Sequence, residues 1–171
     1  MYPQNFCQNA YGGGQGNLKA LIVTTVSGFL SQFEMNCVFL LQKYGFEVHY
    51  ASNFDNPIYE YDQADLDAAG VICHHIDIAK SPLDYRNNRK AFQQLKQLMD
   101  EEHFGVVHCH NPVGGVLARR AAHKCANNPV VIYTAHGFHF YSGGNRLSNM
   151  LFHAVESHYA KKTDILVTIN Q

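Results

Sequence analysis

The sequence predicts an α/β fold, a doubly wound and mostly parallel sheet with helices on both faces. Three observations predict it. Short apolar runs alternate with longer amphipathic stretches, and strand–helix alternation of that kind builds a parallel sheet. The first of the apolar runs, Leu18–Val26, is β-branched and apolar almost throughout, as a strand buried on both faces is. Of the 171 residues, 46% are apolar and only 16% charged, the balance of a compact chain with one core.

The elements follow in order. Leu18–Val26 reads as the first strand. Ser31–Tyr44 has apolar residues at Met35, Val38, Phe39 and Leu41, which is helical spacing, and Gly45 ends that helix in the left-handed conformation. Phe46–Ala51 is the second strand, Asp65–Ala69 a short helical turn closed by Gly70, and Val71–Ile76 the third strand. Tyr85–His103 is the clearest helix, with a stripe of Phe92, Leu95, Leu98 and Met99. Phe104–Cys109 is the fourth strand. Gly114–Ala126 is a helix whose small residues Ala118, Ala121 and Ala122 allow close approach to a sheet. Val130–Thr134, Leu147–Lys162 and Ile165–Ile169 complete the alternation as strand, helix and strand. The chain stops two residues after that sixth strand, which reads as a cut at a domain edge.

Composition excludes several classes. The net charge of -1 with histidine neutral does not call for nucleic acid. Five cysteines are an odd number with no CxxC spacing, so buried reduced thiols fit better than a disulfide framework. No run reaches the roughly 18–20 apolar residues of a membrane span. Residues 1–17 have no basic start and no apolar core, so they are not a secretory signal, and their Gly, Gln and Asn content predicts a disordered leader.

An open parallel sheet binds ligands at the carboxyl ends of its strands. The residues just past each strand are therefore the candidates. Ser27–Gly28 follows the first strand, with a glycine that lets backbone approach a ligand. No GxGxxG and no GxxxxGK[ST] is present, which removes the dinucleotide fingerprint and the P-loop. His110–Asn111–Pro112 leads into a helix opened by Gly114 and Gly115, whose N–H groups favour an anion or a hydroxyl-rich ligand. Pro112 biases Asn111 to an extended backbone. His136, Gly137 and His139 lie in the string YTAHGFHFY, where imidazoles bond hydroxyls and aromatic rings wall a sugar. The same aromatic residues serve equally as plain core. His108 and His110 share one strand face, a possible metal pair without an evident third ligand, and His74–His75 face opposite sides.

These strings together carry a resemblance. HCHNPVGGVLARRAA, VIYTAHGFHFY and ESHYAKKTDILVTIN, with the earlier TVSGFLSQFEMNCVFLLQKYGFEVHYASNF, resemble the family-four, GT-B-type glycosyltransferases of bacterial capsule and exopolysaccharide assembly. The resemblance covers roughly residues 19–171. It implies two facing Rossmann-like domains, of which residues 18–171 are the acceptor-side one and the nucleotide-sugar-binding one is absent. It implies transfer of a hexose from a nucleotide-diphosphate sugar with retention of configuration, with no cofactor and no required metal. By motif match, Ser27 and Gly28 lie near the donor phosphates, His136 contacts the transferred sugar, and His110 and Asn111 lie on the acceptor side. Acceptors in the group are often saccharides on a polyprenyl diphosphate, which predicts a cytoplasmic protein with peripheral contact to the inner membrane face. Arg86, Arg89 and Lys90 are candidates for the lipid phosphate, or else an ordinary solvated helix face. The isolated chain is expected to be inactive. Two other classes remain open: a non-catalytic sugar- or nucleotide-binding module, and a metal-dependent hydrolase built on His108 and His110.

Overall fold

The computed structural model describes residues 18–55, 57–59, 63–137 and 146–169. Residues 1–17, with the leader expected there, lie outside the described residues. Six parallel strands form one sheet: β1 (Leu18–Val23), β2 (Phe46–Ser52), β3 (Ile72–His75), β4 (Val106–His110), β5 (Val130–Ala135) and β6 (Ile165–Thr168). Their order is β3-β2-β1-β4-β5-β6, the Rossmann order, so the chain reverses direction across the sheet between β1 and β4. Helices α1 (Met35–Lys43), α2 (Gln63–Ala68), α3 (Tyr85–Glu102), α4 (Pro112–Ala122) and α5 (Arg146–Ala160) connect them.

Side-chain alternation divides the core in two. Leu21, Val23, Val107, Cys109, Val131 and Tyr133 point to one face, where α3 and α4 cover them through Ala91, Leu95, Met99, Ala118 and Ala121. Ile22, Val48 and Tyr50 point to the other, against Leu30, Val38 and Leu66. Each fully buried Leu or Ile contributes about 1.5–3 kcal/mol. The expected stripe of α3 is confirmed, with Phe92 only partly buried and Ala91 beside it in the core. Asp84 caps that helix by accepting from the Asn87 N–H at 3.2 Å. Gly45 takes φ 84°, as expected.

Most boundaries shift by one or two residues from expectation, and three elements differ for an identifiable local reason. β1 ends at Val23 because the Thr24 hydroxyl turns inward to the Val26 carbonyl (2.8 Å), the Tyr50 hydroxyl (2.7 Å) and Ser52 (3.1 Å). The first helical stretch opens as a π-helix over Leu30–Glu34 before α1 begins. α4 starts two residues early, at Pro112, since a proline at the first helical position loses no hydrogen bond, and it ends at Ala122.

Arg119 on α4 is 1% exposed. Its guanidinium lies 4.0 Å from the Tyr133 ring centroid, and both terminal nitrogens reach Glu156 of α5 at 3.1 Å. This pair fastens α5 to α4. The described cysteines 37, 73, 109 and 125 are free thiols.

Candidate functional site

The carboxyl ends of β1 and β4 are tied together. The Thr25 N–H donates to Asn111 Oδ1 at 3.2 Å, and the Gly114 N–H donates to Thr25 Oγ1 at 3.0 Å. Asn111 holds ψ 150°, the extended value a following proline favours, but its φ is +61°, an uncommon backbone for a non-glycine residue. Its carbonyl accepts from the Gly115 N–H at 2.8 Å. The helix start expected to offer free amides therefore has those of Gly114 and Gly115 already engaged. The two glycines serve close packing: a Cβ on Gly114 would stand 3.1 Å from the Thr25 backbone, and one on Gly115 2.7 Å from the Tyr133 ring.

Above this tie lies a histidine cluster. His108 and His110 project from the same face of β4 with ring centroids 4.2 Å apart. His110 Nδ1 is 3.1 Å from Nε2 of His136, which follows β5. His110 is wholly buried and its Nε2 has no hydrogen-bond partner. Burial, then the neighbouring His108 and His136, push its pKa down to about 2; burial and His136 push His108 to about 4. His136 is lowered by burial as well. All three are neutral imidazoles at pH 7. The Glu34 carboxylate, 3.6 Å from His110 Nδ1, therefore faces a neutral ring and forms no ion pair with it.

An aromatic wall completes the cleft. Phe29 lies 5.5 Å from the His110 ring and 5.0 Å edge-on from His136. Phe33 lies 5.0 Å from Phe29 with its ring tilted by 47° and meets Tyr59 edge-on at 5.2 Å. Beside it, an open polar cavity of about 410 Å³ is lined by Thr25, Asn53, Asp55, Asp77, Lys80 and Asp84, among others.

The structure thus brings His110, Asn111 and His136 together at the point where strand order reverses, with Gly137 exposed beside them at φ 142°. Ser27 is buried and its hydroxyl has no partner. Gly28, at φ 79°, is held against Tyr59: a Cβ there would stand 2.4 Å from the Tyr59 carbonyl oxygen. Its glycine requirement thus comes from the chain's own backbone. His139 and its flanking aromatics lie outside the described residues. Of the basic cluster, Arg86 and Arg89 are exposed, whereas Lys90 is paired with Asp77 at 2.8 Å. That bond, ahead of the others, lowers the Asp77 pKa.

Sequence reasoning missed Thr25, Phe29, Glu34 and Cys37. It also expected no third ligand beside His108 and His110. The structure supplies candidates, since Glu34–Cys37–His108 and Glu34–His110–His136 each place their ligand atoms within 4.8 Å of one another. Among the described residues, no helix is long and apolar enough to cross a membrane.

Comparison with known proteins agrees with the fold. The sequence profile of a family described as glycosyl transferase 4-like matches residues 20–170. The chain is 36% identical over 154 residues to EpsD of Bacillus subtilis (strain 168), which is named a glycosyltransferase; the match covers 90% of this chain and 38% of that one. It is 27% identical over 143 residues to the UDP-Gal:alpha-D-GlcNAc-diphosphoundecaprenol alpha-1,3-galactosyltransferase of Escherichia coli, covering 82% and 34%. The chain therefore spans little more than a third of the length of these relatives. Among solved structures, Acinetobacter baumannii MurG superposes with a TM-score of 0.61 at 12% identity, over 90% of this chain and 41% of that one. A UDP-N-acetylglucosamine 2-epimerase superposes at 0.60 and 16% identity, over 88% and 41%. At such identities these two structures speak for the fold alone.

Proposed function

Because the chain belongs to the glycosyl transferase 4-like family, we propose that it is the acceptor-side domain of a retaining hexosyltransferase of cell-surface polysaccharide synthesis. The donor is a nucleotide-diphosphate sugar, and the acceptor a saccharide on a polyprenyl diphosphate. The observation that carries this reading is the His110–His136 pair where strand order reverses, walled by Phe29 and floored by the Thr25–Asn111 tie.

The chemistry asked of such a site is modest. The bond from the sugar's anomeric carbon to the diphosphate breaks, a bond to an acceptor hydroxyl forms, and the hydroxyl proton leaves. His136 has one nitrogen engaged by His110 and keeps the other, on an exposed neutral ring, for a sugar hydroxyl. His110 and Asn111 line the acceptor side. Contact of Ser27 and Gly28 with donor phosphate requires the segment carrying Tyr59 to move aside, since Tyr59 now packs on Gly28. The diphosphate's leaving charge is stabilised largely by a facing domain, so the isolated chain shows no turnover. The protein works in the cytoplasm at the inner membrane face, with Arg86 and Arg89 toward the lipid; Lys90 contributes less because Asp77 holds it.

The test uses this chain continued by the coding sequence after Gln171. The enzyme is assayed with UDP- and GDP-sugars and lipid-diphosphate saccharides. Transfer with retained configuration is expected, and His136→Ala should lower turnover about 100-fold or more with an unchanged urea midpoint. Steady turnover by the 171 residues alone, or an active His136→Ala enzyme, contradicts the proposal.

A further inference from the structure

The cleft leaves two half-buried groups unused. Cys37 sits on α1, and His108 lies on β4 one step below His110. Cys37 Sγ and His108 Nδ1 are 3.5 Å apart. The Glu34 carboxylate completes a triangle in which every ligand atom is within 4.8 Å of the other two.

We propose that Glu34, Cys37 and His108 hold a zinc-class divalent cation beneath the cleft floor. The spacing carries the idea first. Zinc bonds of about 2.3 Å to sulfur and 2.0–2.1 Å to imidazole nitrogen, opened to the tetrahedral angle, put the two atoms about 3.5–3.6 Å apart. The observed separation is 3.5 Å. The second support is His108's other nitrogen. Nε2 is 2.8 Å from the Thr134 hydroxyl, a contact that fixes the ring's orientation and turns Nδ1 toward Cys37 Sγ, so that an ion would replace the N···S contact.

The same reasoning rejects the neighbouring group Glu34–His110–His136. An ion on His110 Nδ1 would force that ring's proton onto Nε2, which is wholly buried and without a partner. An unpaired buried N–H costs about 1–3 kcal/mol. His108 pays no such penalty because Thr134 is in place. A thiolate, an imidazole and a carboxylate form a set for zinc rather than magnesium or calcium, and the fourth position is left to water. Binding expels the Cys37 thiol proton to solvent. The site is independent of the glycosyl-transfer reading. Its ion would brace α1 against β4 beneath Phe29.

The test needs the chain without a polyhistidine tag, stripped with chelator and reloaded with zinc or cobalt(II). One equivalent of zinc should be retained after gel filtration. Cobalt should show the near-ultraviolet charge-transfer band of a thiolate ligand and the visible bands of tetrahedral geometry. Cys37→Ala should abolish the charge-transfer band and weaken zinc binding about 100-fold or more, and Thr134→Val should weaken it about tenfold. Cys125→Ala and His136→Ala should leave both unchanged, with circular dichroism confirming that each variant is folded. Absence of equimolar uptake overturns the proposal, as does uptake that survives Cys37→Ala. Uptake lost in His136→Ala would assign the ion to the neighbouring group and overturn it equally.

Discussion

His49–His74 and His110–His136 are both contacts between imidazoles of neighbouring strands, at 2.8 and 3.1 Å. Their surroundings differ in kind. The His49 and His74 rings lie parallel, 4° apart, and a charged network encloses them: Glu47 bonds His49 Nε2 at 3.0 Å, and Lys19 pairs with Glu47 and Glu102. Every described nitrogen of His49 is used. The second pair has no charged group that offsets its burial, leaves the His110 Nε2 unpartnered, and stands under an exposed ring at the carboxyl end of the sheet. A satisfied pair holds a fold together. A pair kept partly unsatisfied beside an opening is what a ligand can complete.

Glycines near the two regions test this contrast most severely. Gly28→Ala puts a methyl group against the Tyr59 carbonyl at an unfavourable φ and should cost about 2–4 kcal/mol. Gly70, on the edge-strand side, has φ 70° but only the Gln42 side chain nearby, so Gly70→Ala should cost about 1 kcal/mol. Urea midpoints compare them directly, and equal losses would mean the backbone is no tighter at the cleft. Next come the histidines. His49→Phe strips partners from His74 and Glu47 and should destabilise by about 1–3 kcal/mol. His110→Phe removes an orphaned nitrogen at similar volume, so stability should change by less than about 1 kcal/mol while the sugar binding proposed for the cleft is lost. The reverse ranking would exchange the roles assigned to the two pairs.

The smallest effect concerns pH. His74 has its pKa lowered by burial first and by His49 second, with Glu102 opposing and Lys19 adding. The unfolded chain takes up a proton near pH 6.5 that the folded chain resists. This contribution is whole above that pH and declines as pH falls toward the lowered folded value. His74→Gln should therefore lose less stability than the parent between pH 7.5 and 5.5. Parallel stability curves for the two would show that His74 is not what titrates.

The central strands were legible because burial leaves nearly unbroken apolar runs, and all six strands overlap the runs read from the sequence, although the edge strands β3 and β6 are largely exposed. His110, Asn111 and His136 were legible because they follow strands that end at the same edge. Phe29, Glu34 and Cys37 were not. They belong to a stretch that starts as a π-helix, so their spacing matches neither a 3.6-residue nor a 2-residue period. Thr25 escaped because its partner lies 86 residues away, and no local pattern marks such a tie. The amides of Gly114 and Gly115 looked available for the same reason: what occupies them comes partly from another strand.

That π-helical turn also sets how easily the cleft could be lost. A wide turn of this kind is one residue longer than the α-helical turn it replaces. Deleting a single residue between Leu30 and Glu34 would let α1 extend backward as regular helix. Val38 would keep its place in the core, while each position upstream would swing by about 100° around the axis. Phe29 would leave both histidines. One codon therefore separates this cleft from a plainer one on the same sheet, and a chain with that deletion should fold yet fail to hold the proposed sugar ligand.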